Sequence, residues 1–203
     1  MARRLLATLG SAATDLPTIA QSVRGGFPAP SGGWNMPPNL LGTAAGSALV
    51  SGTAFFWPLD LSNAALQSLG CNVTTAQVGG TTTTTLGLYG DDGSGGAPNF
   101  AGGLLASGTV VLTTTGVKTA AITYTPTPGR YWSAFLWVAS VAPGTVPILT
   151  CATNATSLWC PNANFPTVIR CFTLTGLSAL PTTAQTLAGN GGSTGVIVGA
   201  RAT

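Results

Sequence analysis

The chain is poor in charge and contains neither histidine nor glutamate. Only 5% of its 203 residues are charged, against roughly 25% in an ordinary soluble domain. Without histidine there is no Ser-His-Asp site, no Cys-His site and no usual zinc site. A glycosidase would have to pair Asp60 with Asp91 or Asp92, and the last two stand in a glycine-rich turn where aspartate serves turn formation. We therefore predict a protein without enzymatic activity, cofactor or metal.

Long apolar runs and basic stripes are also missing. The mean hydropathy is +0.41, yet no window offers the roughly 18 uninterrupted apolar residues of a spanning helix. Alanine, valine and leucine occur instead in short runs broken by threonine and glycine, which is typical of many short strands. The seven basic residues are scattered, without interleaved aromatics. These features predict an all-β protein with no membrane span and no nucleic-acid partner.

The scarcity of charge has two explanations that the sequence leaves open. Interface cores are depleted of charged residues, so neighbouring subunits would cover much of such a surface. Alternatively, a threonine-rich surface is itself solvated. The first explanation predicts a homo-oligomer.

Four cysteines are present, and three of them lie in one short region: Cys151, Cys160 and Cys171. A link from Cys151 to Cys160 or from Cys160 to Cys171 is compatible with maturation in an oxidising compartment. Buried thiols that act as small hydrophobic groups are the other explanation, and Cys71 would belong with them. The sequence does not decide between them.

Residues 1–33 differ from the rest and predict a partly helical arm followed by a Pro/Gly linker. Asp15 can cap a helix whose first turn contains Pro17, and glycines at 25 and 26 end it. Apolar residues recur every three or four positions along this arm, at Leu5, Leu9, Ala12, Leu16, Ile19 and Val23. A short amphipathic arm without its own core needs a partner, so we expect it to dock on another protein; docking on its own domain is the alternative.

The stretch 129–138 organises the remainder. Alternate residues place Tyr131, Phe135 and Trp137 on one face and Trp132 and Leu136 on the other, so both faces are apolar, as in a covered central strand. Eight strands are predicted in all, and the seventh contains most of this stretch: 41–49, 54–61, 66–77, 82–89, 104–114, 118–125, 131–140 and 146–153. This spacing predicts a jelly-roll-like antiparallel β-sandwich over 34–156. Residues 157–203 form a C-terminal extension with two further strands, at 168–174 and 195–200, that either wrap back to the sandwich or reach a neighbour.

Exposed aromatic and polar loop residues are the candidates for surface recognition. Trp34 in the linker and Trp159 in a loop offer flat faces for sugar rings or protein interfaces, although each could instead cover a satellite cluster. The loop residues Asp91, Asp92 and Asn99 complete this set. Asp91 and Asp92 also resemble part of a calcium loop, although a calcium ion needs about six oxygen ligands and no later acid supplies them. Backbone carbonyls could supply the rest, so the sequence leaves a calcium site open beside the turn role, which it favours.

Four sequence blocks occur in a characteristic order: LGLYGDDG at 86–93, ASGTV at 106–110, TTTGVK at 113–118 and PGRYWSA at 128–134. This order resembles the β-sandwich domains of minor tail and tail-fibre proteins of tailed bacteriophages, particularly those that infect actinobacteria. The resemblance covers about residues 40 to 150. The family carries this sandwich within longer tail proteins, whereas the present chain is short and has its own N-terminal arm.

The resemblance implies a virion protein, located on the tail or the capsid surface. It implies a minor tail or tail-fibre component that contacts the host, with other virion proteins bound through the arm and a host cell-wall glycan as the ligand. A capsid decoration or head-fibre protein with a purely structural role is the alternative, and a carbohydrate-binding or carbohydrate-active module is a weaker one. The recurring motifs are strand and turn residues, so no functional residue is carried over.

Overall fold

A computed structural model describes residues 32–36, 43–46, 48–93, 97–152, 171–190 and 195–203. Within these ranges the chain forms strands and no helix, and so contains no helix that could cross a membrane. The predicted arm lies outside the described residues. The strands are β1 (Trp34–Asn35), β2 (Thr43–Ala45), β3 (Thr53–Leu61), β4 (Leu66–Thr75), β5 (Thr81–Gly90), β6 (Leu104–Val110), β7 (Gly116–Tyr124), β8 (Gly129–Val141), β9 (Ile148–Ala152), β10 (Cys171–Leu174), β11 (Ala188–Asn190) and β12 (Gly199–Ala202).

All pairings between these strands are antiparallel, and they form two sheets. The first sheet runs β1-β12-β4-β9-β2, with β7 on the other edge of β4. The second runs β11-β10-β3-β8-β5-β6. Buried side chains of both sheets meet in one cluster between them, so the body is sandwich-like and the predicted all-β antiparallel class is confirmed.

The stretch predicted as the hub is β8, which lies between β3 and β5 inside the second sheet. Tyr131, Phe135 and Trp137 belong to the core between the sheets, while Trp132 and Leu136 belong to a second cluster on the opposite face. β8 is three residues longer than the strand predicted at 131–140: it begins two residues earlier and ends one residue later. The prediction of a central strand covered on both sides is confirmed.

The cover on the outer face of the second sheet comes from segments without regular structure. Phe100 and Leu180 pack there against Phe56, Tyr89 and Trp132. The rings of Phe56, Tyr89 and Phe100 meet edge to face, with centroids 5.2 to 5.8 Å apart. The Tyr89 hydroxyl donates to the Pro181 carbonyl at 2.8 Å, which ties the segment after β10 to this face.

The C-terminal part of the chain returns to the body. β10 pairs with β3 and β12 pairs with β4, so each sheet receives a strand from the predicted extension. The prediction of one strand over 41–49 is wrong in length: the described strand is β2, and residues 46 and 48–50 are not paired in a ladder. Thr115 and Gly116 predict a hairpin turn, and Gly116, the first residue of β7, has the positive φ of +93° that such a turn uses. The hairpin prediction is nevertheless wrong, because β6 and β7 lie in different sheets and do not pair with each other.

Candidate functional site

A groove on the outer face of the first sheet is the best candidate for a binding site. Along one edge of β4, residues 66–70 pair with β12 and residues 73–75 pair with β9. The two partner strands separate at Cys71 and Asn72, which pair with neither of them. β7 lies on the opposite edge of β4 and pairs with residues 66–73. The resulting groove has a volume of about 170 Å³ and is lined by Trp34, Met36, Gly70, Cys71, Asn72, Val117, Thr150 and Ile197.

Trp34 forms one wall of this groove. It lies in β1, where it pairs with Arg201 of β12. The Arg201 Nε donates to the Gly32 carbonyl at 3.0 Å, and the Asn35 side-chain amide donates to the Ala200 carbonyl at 3.3 Å. The sequence assigned Trp34 to a linker, whereas these contacts make it part of the first sheet. The assignment of Trp34 to a linker is therefore wrong, whereas the sandwich range predicted at 34–156 does include it. A strand of two residues leaves no periodic pattern to read.

The indole of Trp34 lies over two glycines that face each other on neighbouring strands. Gly70 of β4 and Gly199 of β12 are register partners. A methyl group added to Gly70 would lie 2.8 Å from Trp34 Cζ3, and one added to Gly199 would lie 3.1 Å from Trp34 Cε3. Both distances are shorter than ordinary carbon contacts, so the ring occupies the space that side chains would fill. The glycine pair thus leaves the space that the ring occupies.

The remaining walls combine apolar and polar groups. Met36 and Val117 are exposed at 44% and 63%, an unusual placement for large apolar side chains. The Asn72 side-chain amide donates to the Thr150 hydroxyl at 2.8 Å. The side-chain oxygen of Asn72, Oδ1, accepts no hydrogen bond from the described residues, so it is available to a ligand hydroxyl. An aromatic wall beside an amide and a hydroxyl suits a ligand with apolar and hydroxylated faces, such as a sugar ring.

Asp91, predicted as a recognition residue, has a structural role: its carboxylate accepts hydrogen bonds from within the protein. One of its carboxylate oxygens accepts from the Trp132 indole nitrogen at 2.9 Å, and the other accepts from the Gly93 backbone nitrogen at 3.0 Å. Trp132 is 2% exposed, so this contact satisfies a buried donor. Asp91 also bridges to Pro98 across the loop. The carboxylate therefore fastens the loop after β5 to β8.

The other predicted recognition residues do not gather at the Trp34 groove. Asp92 is exposed in the same loop as Asp91, and the Asn99 side chain accepts from the Gly102 nitrogen at 2.6 Å within a turn. Trp159 and the arm residues Leu5, Leu9, Leu16, Ile19 and Val23 lie outside the described residues. The sequence missed the groove residues from β4, β7 and β9, although a glycine inside β4 was a signal of close approach.

The cysteines bear on the disulfide prediction only in part. Cys71, Cys151 and Cys171 are buried, at 5%, 3% and 2% exposure, and they lie on β4, β9 and β10. Cys160 lies outside the described residues, so both pairings proposed for it stay predictions. Burial raises the pKa of the Cys71 thiol to about 12 and the pKa of the Cys151 thiol to about 11. The positive charge of nearby Lys118 acts in the opposite direction on the pKa of Cys71, but burial is the larger effect.

Asp60, considered above as a catalytic acid, forms an ion pair with Arg130. The Arg130 Nε lies 3.1 Å from one Asp60 carboxylate oxygen, and Nη2 lies 3.4 Å from the other. Arg130 and Asp60 are register partners on β8 and β3, so the strand pairing sets this contact. No group of three or more metal-ligating side chains occurs among the residues that the structure describes.

Comparison with known proteins adds no assignment to this geometry. No protein-family model matches the chain, and no curated protein matches it either.

Proposed function

We propose that the chain is a structural component of a tailed-bacteriophage virion, and that it is a minor tail or tail-fibre protein contacting the host surface. One observation carries the proposal: the four blocks of the resemblance fall on consecutive elements of a two-sheet antiparallel body, namely β5, β6, the turn into β7, and the start of β8. Jelly-roll connectivity and attachment to other virion proteins through residues 1–33 belong to the same proposal.

The Trp34 groove is the proposed contact with a host cell-wall glycan. The indole supplies an apolar face for a pyranose ring, and Asn72 and Thr150 supply hydrogen-bonding groups on one side of it. None of the described residues that line the groove carries a charge, which fits a neutral sugar. Loop residues Asp92 and Asn99 are the competing contact surface.

Binding to isolated actinobacterial cell walls tests this contact. We expect Trp34→Ala to reduce retention of the purified protein on the walls by about tenfold or more, because aromatic stacking dominates such sites. Trp34→Phe should retain part of the binding, since it keeps an aromatic face. Val50→Ala, at an exposed valine outside the groove, is the matched control and should bind like the parent.

Two outcomes would redirect the proposal. Full retention by Trp34→Ala with loss in Asp92→Asn would move the contact to the loop after β5. No retention of the folded parent protein would refute a receptor role, and circular dichroism of each variant separates lost binding from lost folding.

A capsid decoration or head-fibre protein is the second candidate. It is favoured by a flank of the body, formed by β6 and β7, whose nearly uncharged strand edges suit packing against other subunits. Immunoelectron microscopy of purified particles with antibody against the chain distinguishes the two. Label on the tail supports the first function, label on the capsid supports the second, and particles without label contradict both.

A further inference from the structure

One flank of the body presents two strand edges together. β6 pairs only with β5 and β7 pairs only with β4, and no described residue donates or accepts a backbone hydrogen bond at the outer edge of either strand. The two edges lie close to each other, because a methyl group added to Gly108 of β6 would lie 2.8 Å from Ala120 Cβ of β7. Rows of unpaired amides and carbonyls are therefore stacked on one side of the molecule.

These edges carry few of the devices that usually protect an exposed strand, apart from one register irregularity near an end of each, between Leu104 and Ala106 in β6 and between Ala121 and Tyr124 in β7. Soluble proteins shorten such strands or place lysine or proline on them. β6 has seven residues and β7 has nine, with no proline in either. Their single charged residue, Lys118, points its ammonium back to the Thr115 carbonyl at 3.2 Å. The strands that end the described sheets on the opposite flank, β1, β2 and β11, have only two or three residues.

The exposed side chains of β6 carry no charge, and two of the three are small. Leu105, Ser107 and Thr109 are exposed and alternate with half-buried residues, so they point away from the core. A partner strand can approach such a row closely, and it meets no charge that would have to be desolvated. The edge is therefore suited to a neutral strand with small side chains.

We propose that the partner is a second copy of this chain, with β6 pairing antiparallel to β6 of that copy around a twofold axis. An antiparallel pair of identical strands is self-complementary, as a twofold interface requires. Pairing centred on Ser107 would place Leu105 of one copy opposite Thr109 of the other. An uncharged strand meets its own copy without repulsion, whereas one bearing like charges would be opposed by it. The second sheet then continues from one copy into the next.

Charge substitution at the centre of β6 tests this interface. Ser107→Lys places two ammonium groups opposite each other, and Ser107→Glu does the same with two carboxylates, so each variant should weaken self-association by about tenfold or more. An equimolar mixture of the two variants should recover it, because Lys then faces Glu. Ser178→Lys, at an exposed position in the segment after β10, is the matched control. Analytical ultracentrifugation across protein concentrations gives the readout.

Each outcome decides the proposal. A dimer that is lost in both single variants, retained in Ser178→Lys and restored by mixing supports it. A monomeric parent, or single variants that associate like the parent, overturns it and leaves the edge to a different protein. If a Ser107 variant unfolds, amide hydrogen exchange of the parent decides, since the interface predicts that protection of residues 104–110 rises with concentration. Self-association is independent of cell-wall binding, so either can fail alone.

Discussion

At the scale of single residues, Trp34 depends on what its neighbours lack. The ring can lie this close to the first sheet only because Gly70 and Gly199 carry no side chain there. Glycine normally weakens a strand, since it adds backbone entropy to the unfolded chain and has no side chain to pack. Here the indole covers the exposed backbone and offsets part of that cost. Two poor strand residues and one aromatic thus form a single packing unit.

This arrangement predicts that Gly70→Ala destabilises the protein and also disrupts the groove. The new methyl group would lie 2.8 Å from Trp34 Cζ3, so the indole has to move off the strands. We expect a loss of about 1 to 3 kcal/mol in the free energy of unfolding, the usual cost of overpacking. Urea unfolding followed by tryptophan fluorescence measures both effects.

Gly129→Ala is the control for that substitution. Gly129 begins β8, and the nearest atom to an added methyl group is the Thr127 carbonyl oxygen at 4.0 Å. The change should therefore be neutral or slightly stabilising, because alanine lowers the entropy of the unfolded chain. Equal losses in both variants would show that glycine content, rather than the Trp34 contact, sets the effect.

At the scale of elements, the long strands were predictable and the short ones were not. β3, β4, β5, β7 and β8 each have nine or more residues, which contain apolar runs or alternating residues, and turn residues lie near their ends. β1, β2 and β11 have two or three residues, and only their pairing partners define them. The Trp34 groove escaped prediction for the same reason. Its walls come from strands far apart in sequence, and no local sequence pattern shows that two of them, β9 and β12, pair with the same edge of β4.

The loop after β5 carries the next prediction, which concerns Asp91. Asp91→Ala removes the acceptor of the buried Trp132 indole and that of the Gly93 nitrogen, so we expect a loss of about 2 kcal/mol in the free energy of unfolding. Asp91→Asn keeps one carbonyl oxygen for Trp132 and loses the acceptor for Gly93, so its loss should be about half as large.

Chemical denaturation of both variants checks this order. If the parent binds calcium through this loop instead, added calcium should raise its midpoint, and both substitutions should abolish that rise. A parent insensitive to calcium, with Asp91→Ala less stable than Asp91→Asn, agrees with the structural role. Equal stability of all three proteins would contradict it.

At the scale of the whole molecule, pH acts chiefly through buried groups, because surface charge is sparse. The ion pair of Asp60 with Arg130 is the one salt bridge among the described residues. Cys71 and Cys151 lie in the core between the sheets, and Tyr89 lies in the cluster on the outer face of the second sheet. Burial raises the pKa of Tyr89 strongly, as it does for the two thiols. The core between the sheets and the cluster on the outer face of the second sheet therefore both contain acidic groups that stay protonated while the protein is folded.

These groups predict that the protein loses stability as the pH rises above about 9. In the unfolded chain the thiols ionise near pH 9 and the phenol near pH 10, whereas the folded protein keeps those protons to higher pH. Above that point the unfolded state binds fewer protons, so the free energy of unfolding falls by up to about 1.4 kcal/mol per pH unit for each group. For Cys71 the stabilisation is complete below pH 9 and is lost as the pH approaches about 12.

Urea unfolding under reducing conditions, at a series of pH values from about 8 to about 11, measures this slope. Cys71→Ala should lower the stability at neutral pH, because it leaves a cavity in the core, but it should also make the alkaline slope shallower by as much as one group contributes. The variant starts less stable but loses less stability as the pH rises, so plots of the free energy of unfolding against pH for the variant and the parent should converge at high pH. Parallel curves would contradict the prediction, because they would mean that the Cys71 thiol ionises at the same pH in the folded and unfolded states.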